Sequence, residues 1–283
     1  MSYSWACPYC RVPVDDGNCG SCGRAFRSAN GKLDFRPTAP MVLDASWRYD
    51  PAFEDFPWEI VQLDWPDLGN GVALDESDEI VERRMLQSVP RGSGVALDIG
   101  CGTQRQRFRR GLASLGYAPL GLDVEGDAPD ALGDAHLLPL LDDSIDLLMS
   151  SSVWEHLRHP HRAMAEAGRV LKPGGLFVGA IAFSEPYHGS YFHHSPLAVL
   201  ELMHSNGLRL DYVVLQDKYS AFRAHMQMGT AGRRLPMAVR GRIGDIFWWL
   251  AVGPSMLKGT TEYARRFFAR SHAAAVGFSA RKR

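Results

Sequence analysis

Residues 97–104 read LDIGCGTQ, an apolar run that ends in a turn with two glycines. A turn without side chains lets a ligand approach the backbone, so this stretch predicts a binding site at the end of a strand. Such turns hold several classes of ligand, and two glycines alone are weak evidence for any one of them. The residues outward from the turn must decide which ligand it holds.

From the turn onward, apolar runs alternate with amphipathic segments. Strands are predicted at 95–100, 119–125, 144–153, 175–183 and 208–217, with a strand or turn at 131–136, and helices at about 104–115, 160–171 and 196–206. Gly207 is expected to end the last of these helices as a left-handed cap. This alternation is typical of an α/β fold with a mostly parallel, doubly wound sheet that carries helices on both faces.

Acidic residues stand at the ends of three predicted strands. Asp98 precedes the turn, Asp123 ends the next strand, and Asp134 with Ala135 follows the third. Ligands of open parallel sheets bind at the carboxyl ends of the strands. Asp123 is placed to accept hydrogen bonds from two ribose hydroxyls, while the Asp134 carboxylate and the Ala135 N–H can bind the amino edge of an adenine.

The turn lacks the third glycine with which dinucleotide-binding proteins bring a helix to a pyrophosphate. Residues 103–106 read TQRQ instead, and the Asp98 carboxylate would repel a diphosphate. A carboxylate in this position suits the ammonium group of an amino acid. The turn therefore predicts a ligand that joins an adenosine to an amino acid and has no phosphate.

The segments LDIGCGT, GLDVE, GDAHLLPL, DDSIDLLMSSSVWEHL and AGRVLKPGGLFV, within about 97–178, resemble class I S-adenosylmethionine-dependent methyltransferases. The resemblance implies a seven-stranded Rossmann-like sheet. It also implies a cofactor site formed by Asp98, Gly100, Cys101, Gly102, Asp123, Val124, Asp134, Ala135 and Ser151, with Ser150 as the alternative to Ser151. Gln104 stands where many members have glycine, and its side chain would crowd the pocket. A non-catalytic module that binds the cofactor is an alternative.

Four of the five cysteines lie within the first 22 residues. Cys7 and Cys10, then Cys19 and Cys22, form two pairs with two-residue spacing, which predicts one tetrahedral zinc held by four thiolates. Four protein ligands leave no position for a reacting water, so the zinc is expected to be structural. A redox dithiol, or two chance pairs, is the alternative.

The base that removes the acceptor's proton is sought after the fourth and fifth strands. Glu155 and His156 follow the fourth strand, and the segment SEPYHGSYFHHS (184–195) after the fifth contains His188, His193 and His194. Histidine titrates near neutral pH, which suits a general base. We favour His188, although the sequence does not choose among the three.

Two kinds of nucleic-acid methylation are disfavoured. The fourth strand is followed by SSVW instead of the Asn/Asp-Pro-Pro-aromatic motif of enzymes that methylate exocyclic amines, and Cys101 in the turn is poorly placed as a nucleophile for C5 methylation. A zinc ribbon before this fold also resembles ribosomal RNA guanine-N1 methyltransferases, so an RNA acceptor stays as an alternative. However, residues 1–217 hold 18 basic against 30 acidic residues, which would repel a phosphate backbone.

The end of the chain is strongly basic, with 13 Lys or Arg against 2 Asp or Glu in residues 218–283. Arginines alternate with aromatic residues there, which indicates either a helical lid over the acceptor or a peripheral membrane contact through 233–270. We expect a cytoplasmic protein, because the apolar stretch 246–257 is too short to span a membrane and contains Pro254.

The predicted organisation has five parts. They are a zinc ribbon (1–37), a connector and lid (38–76), a methyltransferase core (77–217), a basic aromatic helical insertion (218–271) and a closing strand of the core (272–283). From EPYHGSYFHHSP to its basic end, the chain resembles bacterial methyltransferases of polysaccharide and natural-product pathways. That resemblance implies a hydroxyl or amine of a small-molecule, secondary-metabolite or glycan acceptor.

Overall fold

The computed structural model describes residues 5–26, 28–29, 32–37, 85–102, 106–185, 189–215, 220–228, 234–257 and 274–283. The predicted connector 38–76 and the favoured base His188 lie outside these residues. Among the described residues, no helix is long and apolar enough to cross a membrane.

A two-stranded hairpin and one large sheet contain the described strands. The hairpin pairs β1 (Val14–Asp15) with β2 (Asn18–Cys19). The sheet contains β3 (Ser28–Ala29), β4 (Lys32–Asp34), β5 (Gly94–Ile99), β6 (Tyr117–Asp123), β7 (Ala131–Leu132), β8 (Ile145–Ser151), β9 (Leu171–Ala182), β10 (Leu208–Leu215) and β11 (Ala275–Lys282). Its spatial order is β10-β11-β9-β8-β5-β6-β7-β4-β3.

Strands β5 to β11 form the predicted seven-stranded sheet. The five strands β5 to β9 run parallel, and β11 lies antiparallel between β9 and β10, as predicted for the closing strand. The sheet is nevertheless wider than predicted within the described residues. β4 pairs parallel with β7, and β3 pairs antiparallel with β4, so the N-terminal segment adds two strands at one edge.

Helices follow the strands on both sides of the switch in strand order. They are α1 (Gln106–Ser114), α2 (Pro160–Val170), α3 (Pro196–His204), α4 (Ala221–Met228) and α5 (Met237–Leu257), with a short 3-10 helix at Trp154–His156. Proline begins α2 and α3 because the first turn of a helix needs no N–H donor. Gly207, with φ of +74°, follows α3 and confirms the predicted left-handed cap.

The core on one face of the sheet is built around aromatic rings. Trp154, Phe177 and Phe278 are fully buried, and the Phe177 ring centroid lies 5.8 Å from that of Trp154 and 5.0 Å from that of Phe278. Burying such a side chain contributes about 2 to 3 kcal/mol. This packing joins the segment after β8 to the middle of β9 and to β11.

The cofactor edge is the edge of the sheet at which the parallel strands end. β5 and β8 are neighbours there, although β6 follows β5 in the chain, so the strand order switches at the glycine turn. Leu215 at the end of β10 pairs with Val276, and Ala275 pairs with Ala182 at the end of β9. The chain therefore leaves β10 and enters β11 at this same edge, where the connection that carries α4 and α5 begins and ends.

Candidate active site

The glycine turn follows β5 and has a backbone that few other residues adopt. Gly100 and Gly102 have φ of +71° and +58°. A Cβ on Gly100 would lie 2.2 Å from Val153 Cγ2, so packing excludes a side chain there. Among the described residues, a Cβ on Gly102 would meet no atom within 4 Å. The turn therefore presents open space over Gly102, as a bound ligand requires.

Asp123 joins this turn to the loop after β6. One carboxylate oxygen accepts a hydrogen bond from the Gly102 N–H at 2.7 Å, and the other accepts one from the Val124 N–H at 2.7 Å. The Glu125 N–H also donates to this carboxylate, at 3.4 Å, and a carboxylate has about four lone-pair sites, so capacity is left for a hydroxyl donor. Asp98, at 4% exposure, is buried at the end of the neighbouring strand.

Asp134 is oriented by a histidine that the sequence patterns did not single out. The His136 Nε2 atom accepts from the His159 N–H at 3.2 Å, so its Nδ1–H is the donor to Asp134 Oδ1 at 2.6 Å. Burial alone would raise the pKa of Asp134, but the hydrogen bonds from the His136 ring and N–H lower it below its usual value. The carboxylate next to buried Ala135 therefore stays ionised as a hydrogen-bond acceptor.

A cavity of about 440 Å³ opens beside the turn. Its lining includes Asp98 and Cys101 from the turn, Arg109 from α1, and Asp127 from the loop after β6. Burial, followed by the charge of Asp98, raises the pKa of Cys101 to about 12, so this thiol is neutral and is a poor nucleophile. At the end of β8, Ser150 and Ser151 are buried.

The predicted bases that fall within the described residues lie in two segments that contact each other. The N–H groups of Tyr191 and Phe192 donate to the Glu155 carbonyl at 2.7 and 3.2 Å. The structure thus holds residues 189–194, the histidine loop, against the 3-10 helix that contains His156. This brings Glu155, His156, His193 and His194 to the cofactor edge.

The members of this group differ in burial. His156 and His193 are exposed, and the His193 Nε2 atom lies 3.0 Å from Ser190 Oγ. His194 is 5% exposed, and burial lowers its pKa to about 4. Glu155 is fully buried. A general base must lie within reach of its substrate, so the exposed His156 and His193 suit this role better than His194, which is buried and has a lowered pKa.

A family model described as a methyltransferase domain matches residues 97–179. The chain is 36% identical over 105 residues to an uncharacterized methyltransferase of Mycobacterium ulcerans, which covers 31% of this chain and 40% of that protein. It is 35% identical over 99 residues to an uncharacterized 37.1 kDa protein from a Streptomyces fradiae transposon, covering 29% of this chain and 28% of the relative. The chain thus spans less than half of these relatives. Residues 97–179 of this chain therefore carry a methyltransferase domain.

Among solved structures, the chain is similar to phosphoethanolamine N-methyltransferase 2 of Haemonchus contortus in complex with S-adenosyl-L-methionine. The identity is 15%, the match covers 76% of this chain and 55% of that chain, and the TM-score is 0.47.

The residues of the methyltransferase domain fit S-adenosylmethionine as a cofactor. The Gly102 N–H donates to the Asp123 carboxylate beside the open space over Gly102, and Asp134 is held ionised at the third strand end. Val124 beside Asp123 is 49% exposed, which leaves an apolar surface for an adenine ring. Together these residues offer acceptors for an ammonium group, two ribose hydroxyls and an adenine amino group.

The side chains of the four N-terminal cysteines lie close together in space. Their sulfur atoms all lie within 4.8 Å of one another, and Cys7 Sγ lies 3.9 Å from Cys22 Sγ. Zn–S bonds of about 2.3 Å in a tetrahedron require sulfur separations of about 3.8 Å. The cluster has the donor set and the spacing that a four-thiolate zinc site needs.

The ribbon hairpin, β3 and β4 with residues 35–37, extends the sheet beside the cofactor site. The Phe35 N–H donates to the Leu132 carbonyl at 2.8 Å. Arg36 Nη1 donates to the carbonyl of Val124 at 2.9 Å, and the Lys32 ammonium donates to the carbonyl of Asp127. These two side chains thus hold the loop that follows Asp123.

Sequence reasoning missed His136, Lys32 and Arg36. The spacing Asp-x-His at 134–136 is a local signal for a side chain that bonds its neighbour, although it is a common one. Lys32 and Arg36 lie about 90 residues before their partners. No local pattern in GKLDFRP (31–37) indicates those contacts.

Proposed function

We propose that this chain transfers the methyl group of S-adenosylmethionine to a hydroxyl, or an amine, of a small-molecule, secondary-metabolite or glycan acceptor. The observation that carries the proposal is the meeting of two sets of residues at one sheet edge. The acids that suit the cofactor end β5, β6 and β7, and the histidine loop lies at the ends of β8 and β9.

When bound, the cofactor supplies an electrophilic methyl group on a sulfonium. The protein's residues contribute orientation and a base. Holding an acceptor in line with the methyl group is worth about 7 to 11 kcal/mol of the barrier. His193, exposed in the histidine loop, would accept the proton of the acceptor's hydroxyl group. His156 and His188 are the other candidates for this role.

Two features support an acceptor other than a nucleic acid. The neutral Cys101 thiol argues against base methylation at C5 through a cysteine nucleophile. The excess of acidic over basic residues in 1–217 opposes a phosphate backbone.

Cofactor binding is tested with two matched glycines. Gly102 and Gly174 both have positive φ and open space where a Cβ would lie, but Gly174 lies in the β9 segment away from the turn. Gly102→Ala should weaken S-adenosylhomocysteine binding about tenfold in calorimetry, because the methyl fills the ligand's space. Gly174→Ala bears the same backbone strain and should bind normally. Equal affinities for the two variants would contradict the cofactor site.

The acceptor class is tested by transfer of a tritiated methyl group to ribosomal RNA, membrane extract and a soluble metabolite pool. Label should enter the metabolite pool, or the lipid-linked glycans of the extract, and His193→Ala should lower the rate without changing cofactor affinity. Label in RNA would overturn the proposal. A protein that binds the cofactor and labels none of the pools is a binding module.

We also propose that Cys7, Cys10, Cys19 and Cys22 hold one structural zinc. Elemental analysis should find near one zinc per chain, and Cys19→Ser should lose it together with several kcal/mol of stability. Cys101→Ser, outside the cluster, should keep the metal. A wild-type chain that is folded and metal-free would refute this assignment.

A further inference from the structure

Exposed large apolar side chains are concentrated on one part of the molecule. Among the described residues there are twelve, and seven of them lie between Leu235 and Leu250. Single exposed apolar residues are ordinary, whereas a contiguous patch indicates an interaction surface. The segment at the start of α5 is therefore a candidate surface for a partner.

Helix α5 packs on α4 through the side that carries Gly241 and Gly244. Gly241 and Gly244 are buried, and a Cβ on Gly244 would lie 2.5 Å from the Arg223 Cα atom. The Arg223 guanidinium also contacts the Asp245 carboxylate at 2.8 Å. These contacts fix which side of α5 faces α4, so α4 and α5 together form a helical hairpin.

The apolar face of α5 points away from α4. At 100° per residue, Val239, Ile246 and Leu250 lie on the side opposite Gly241, and Phe247 and Trp249 flank them. All five are exposed, by 42% to 58%. We call these five residues the α5 apolar face.

The charges around this face are positive. Arg234 and Arg242 are exposed at its N-terminal end, whereas Asp245 on the same helix is paired with Arg223. Residues 218–283 as a whole carry 13 basic and 2 acidic residues. Aromatic rings settle at the headgroup level of a bilayer, and arginines there bind anionic lipid.

The chemistry of the face distinguishes lipid from RNA. Single-stranded RNA is bound by aromatic stacking together with polar side chains that contact base edges. Here the centre of the face is aliphatic, with Val239, Ile246 and Leu250. The free energy falls when aliphatic side chains move from water into the acyl chains of a lipid.

We propose that the helical hairpin docks on an anionic lipid surface through the α5 apolar face. The chain leaves and re-enters the sheet at the cofactor edge, so docking brings that edge to the membrane. The binding surface itself does not depend on the proposed acceptor. It does favour an acceptor that is presented at a membrane.

Vesicle flotation tests the docking. The full-length protein should bind vesicles of phosphatidylglycerol and phosphatidylcholine, bind pure phosphatidylcholine weakly, and lose binding as salt is added. The double variant Phe247→Ser and Trp249→Ser should weaken binding roughly tenfold or more. Leu197→Ser removes a side chain of similar exposure (52%) from α3 and should bind like wild type.

A second variant measures the contribution of positive charge to vesicle binding. Arg242→Gln should weaken binding to anionic vesicles while leaving the residual binding to neutral vesicles unchanged. Cofactor affinity by calorimetry should be unchanged in every variant, which distinguishes failure of docking from failure of the methyltransferase site. Binding that is insensitive to both variants would overturn the proposal. So would light scattering that shows a dimer dissociated by the double variant, since a second copy would then cover the face.

Discussion

The chain adds two segments to the same methyltransferase sheet, and they differ in what they contact. The ribbon hairpin pairs with β7 through backbone hydrogen bonds and buries Phe35, whose ring centroid lies 4.6 Å from that of Phe26. The helical hairpin buries glycines between its own helices and exposes a large apolar face. The first segment is built as part of the core, whereas the second is built as a surface.

This difference separates effects on stability from effects on binding. Removing a buried side chain of the ribbon hairpin, such as Phe35, should lower the free energy of unfolding. Removing one from the α5 apolar face should leave the fold intact. Paired variants in the two segments test that separation.

The largest expected difference is between two phenylalanines. Phe35→Ala should lower the free energy of unfolding by about 3 to 5 kcal/mol, because it empties a buried site. Phe247→Ala should change it by less than about 0.5 kcal/mol, because that ring is 51% exposed. Urea unfolding of both variants measures the contrast. Similar losses would show that α5 is as much a part of the core as the ribbon hairpin.

A smaller effect is expected from the buried histidine of the histidine loop. The pKa of His194 is lowered to about 4 from 6.5, so the unfolded chain binds a proton that the folded chain excludes. Stability contributed by His194 is therefore full above pH 6.5 and is lost as the pH falls toward 4, by about 3 kcal/mol in all.

The His194→Gln variant provides the check on this pH dependence. Its unfolding free energy, measured across the same pH range, should fall less steeply than that of wild type, because glutamine does not titrate. Parallel curves for the two proteins would mean that His194 keeps its proton in the fold.

The smallest effect is expected at the contact between the ribbon hairpin and the loop after β6. Arg36→Met removes the hydrogen bond to the Val124 carbonyl and should weaken S-adenosylhomocysteine binding about three- to tenfold, with little change in unfolding. Arg11→Met is the matched control, because Arg11 reaches Asp142 and Glu166 at 3.8 and 3.9 Å on another part of the domain. Calorimetry of both measures the effect.

The sequence was sufficient for the sheet from β5 to β9 and for the glycine turn. The apolar runs that end in Gly100 and in Asp123 show, in the local sequence, both the hydrophobic pattern of a buried strand and the residue at which the strand ends. The closing strand was also predictable, because the sequence of 275–282, AVGFSARK, is typical of a strand.

Other features depend on contacts between distant residues. The strands β3 and β4 contain two and three residues, too few for a pattern, and β4 joins the sheet through β7 about 100 residues later. His193 and His194 are adjacent and chemically identical, yet one is exposed and the other buried. Tertiary packing alone separates the two, so no sequence argument could choose between them.

The bond between Arg36 and the Val124 carbonyl has a thermodynamic consequence for the proposed zinc. If the ribbon holds the loop in its binding form, the two equilibria are linked, and the coupling must act in both directions. If zinc raises the affinity for the cofactor by some factor, the cofactor raises the affinity for zinc by the same factor. At equilibrium, a higher concentration of chelator should therefore be needed to remove the metal from the ribbon when the cofactor site is filled.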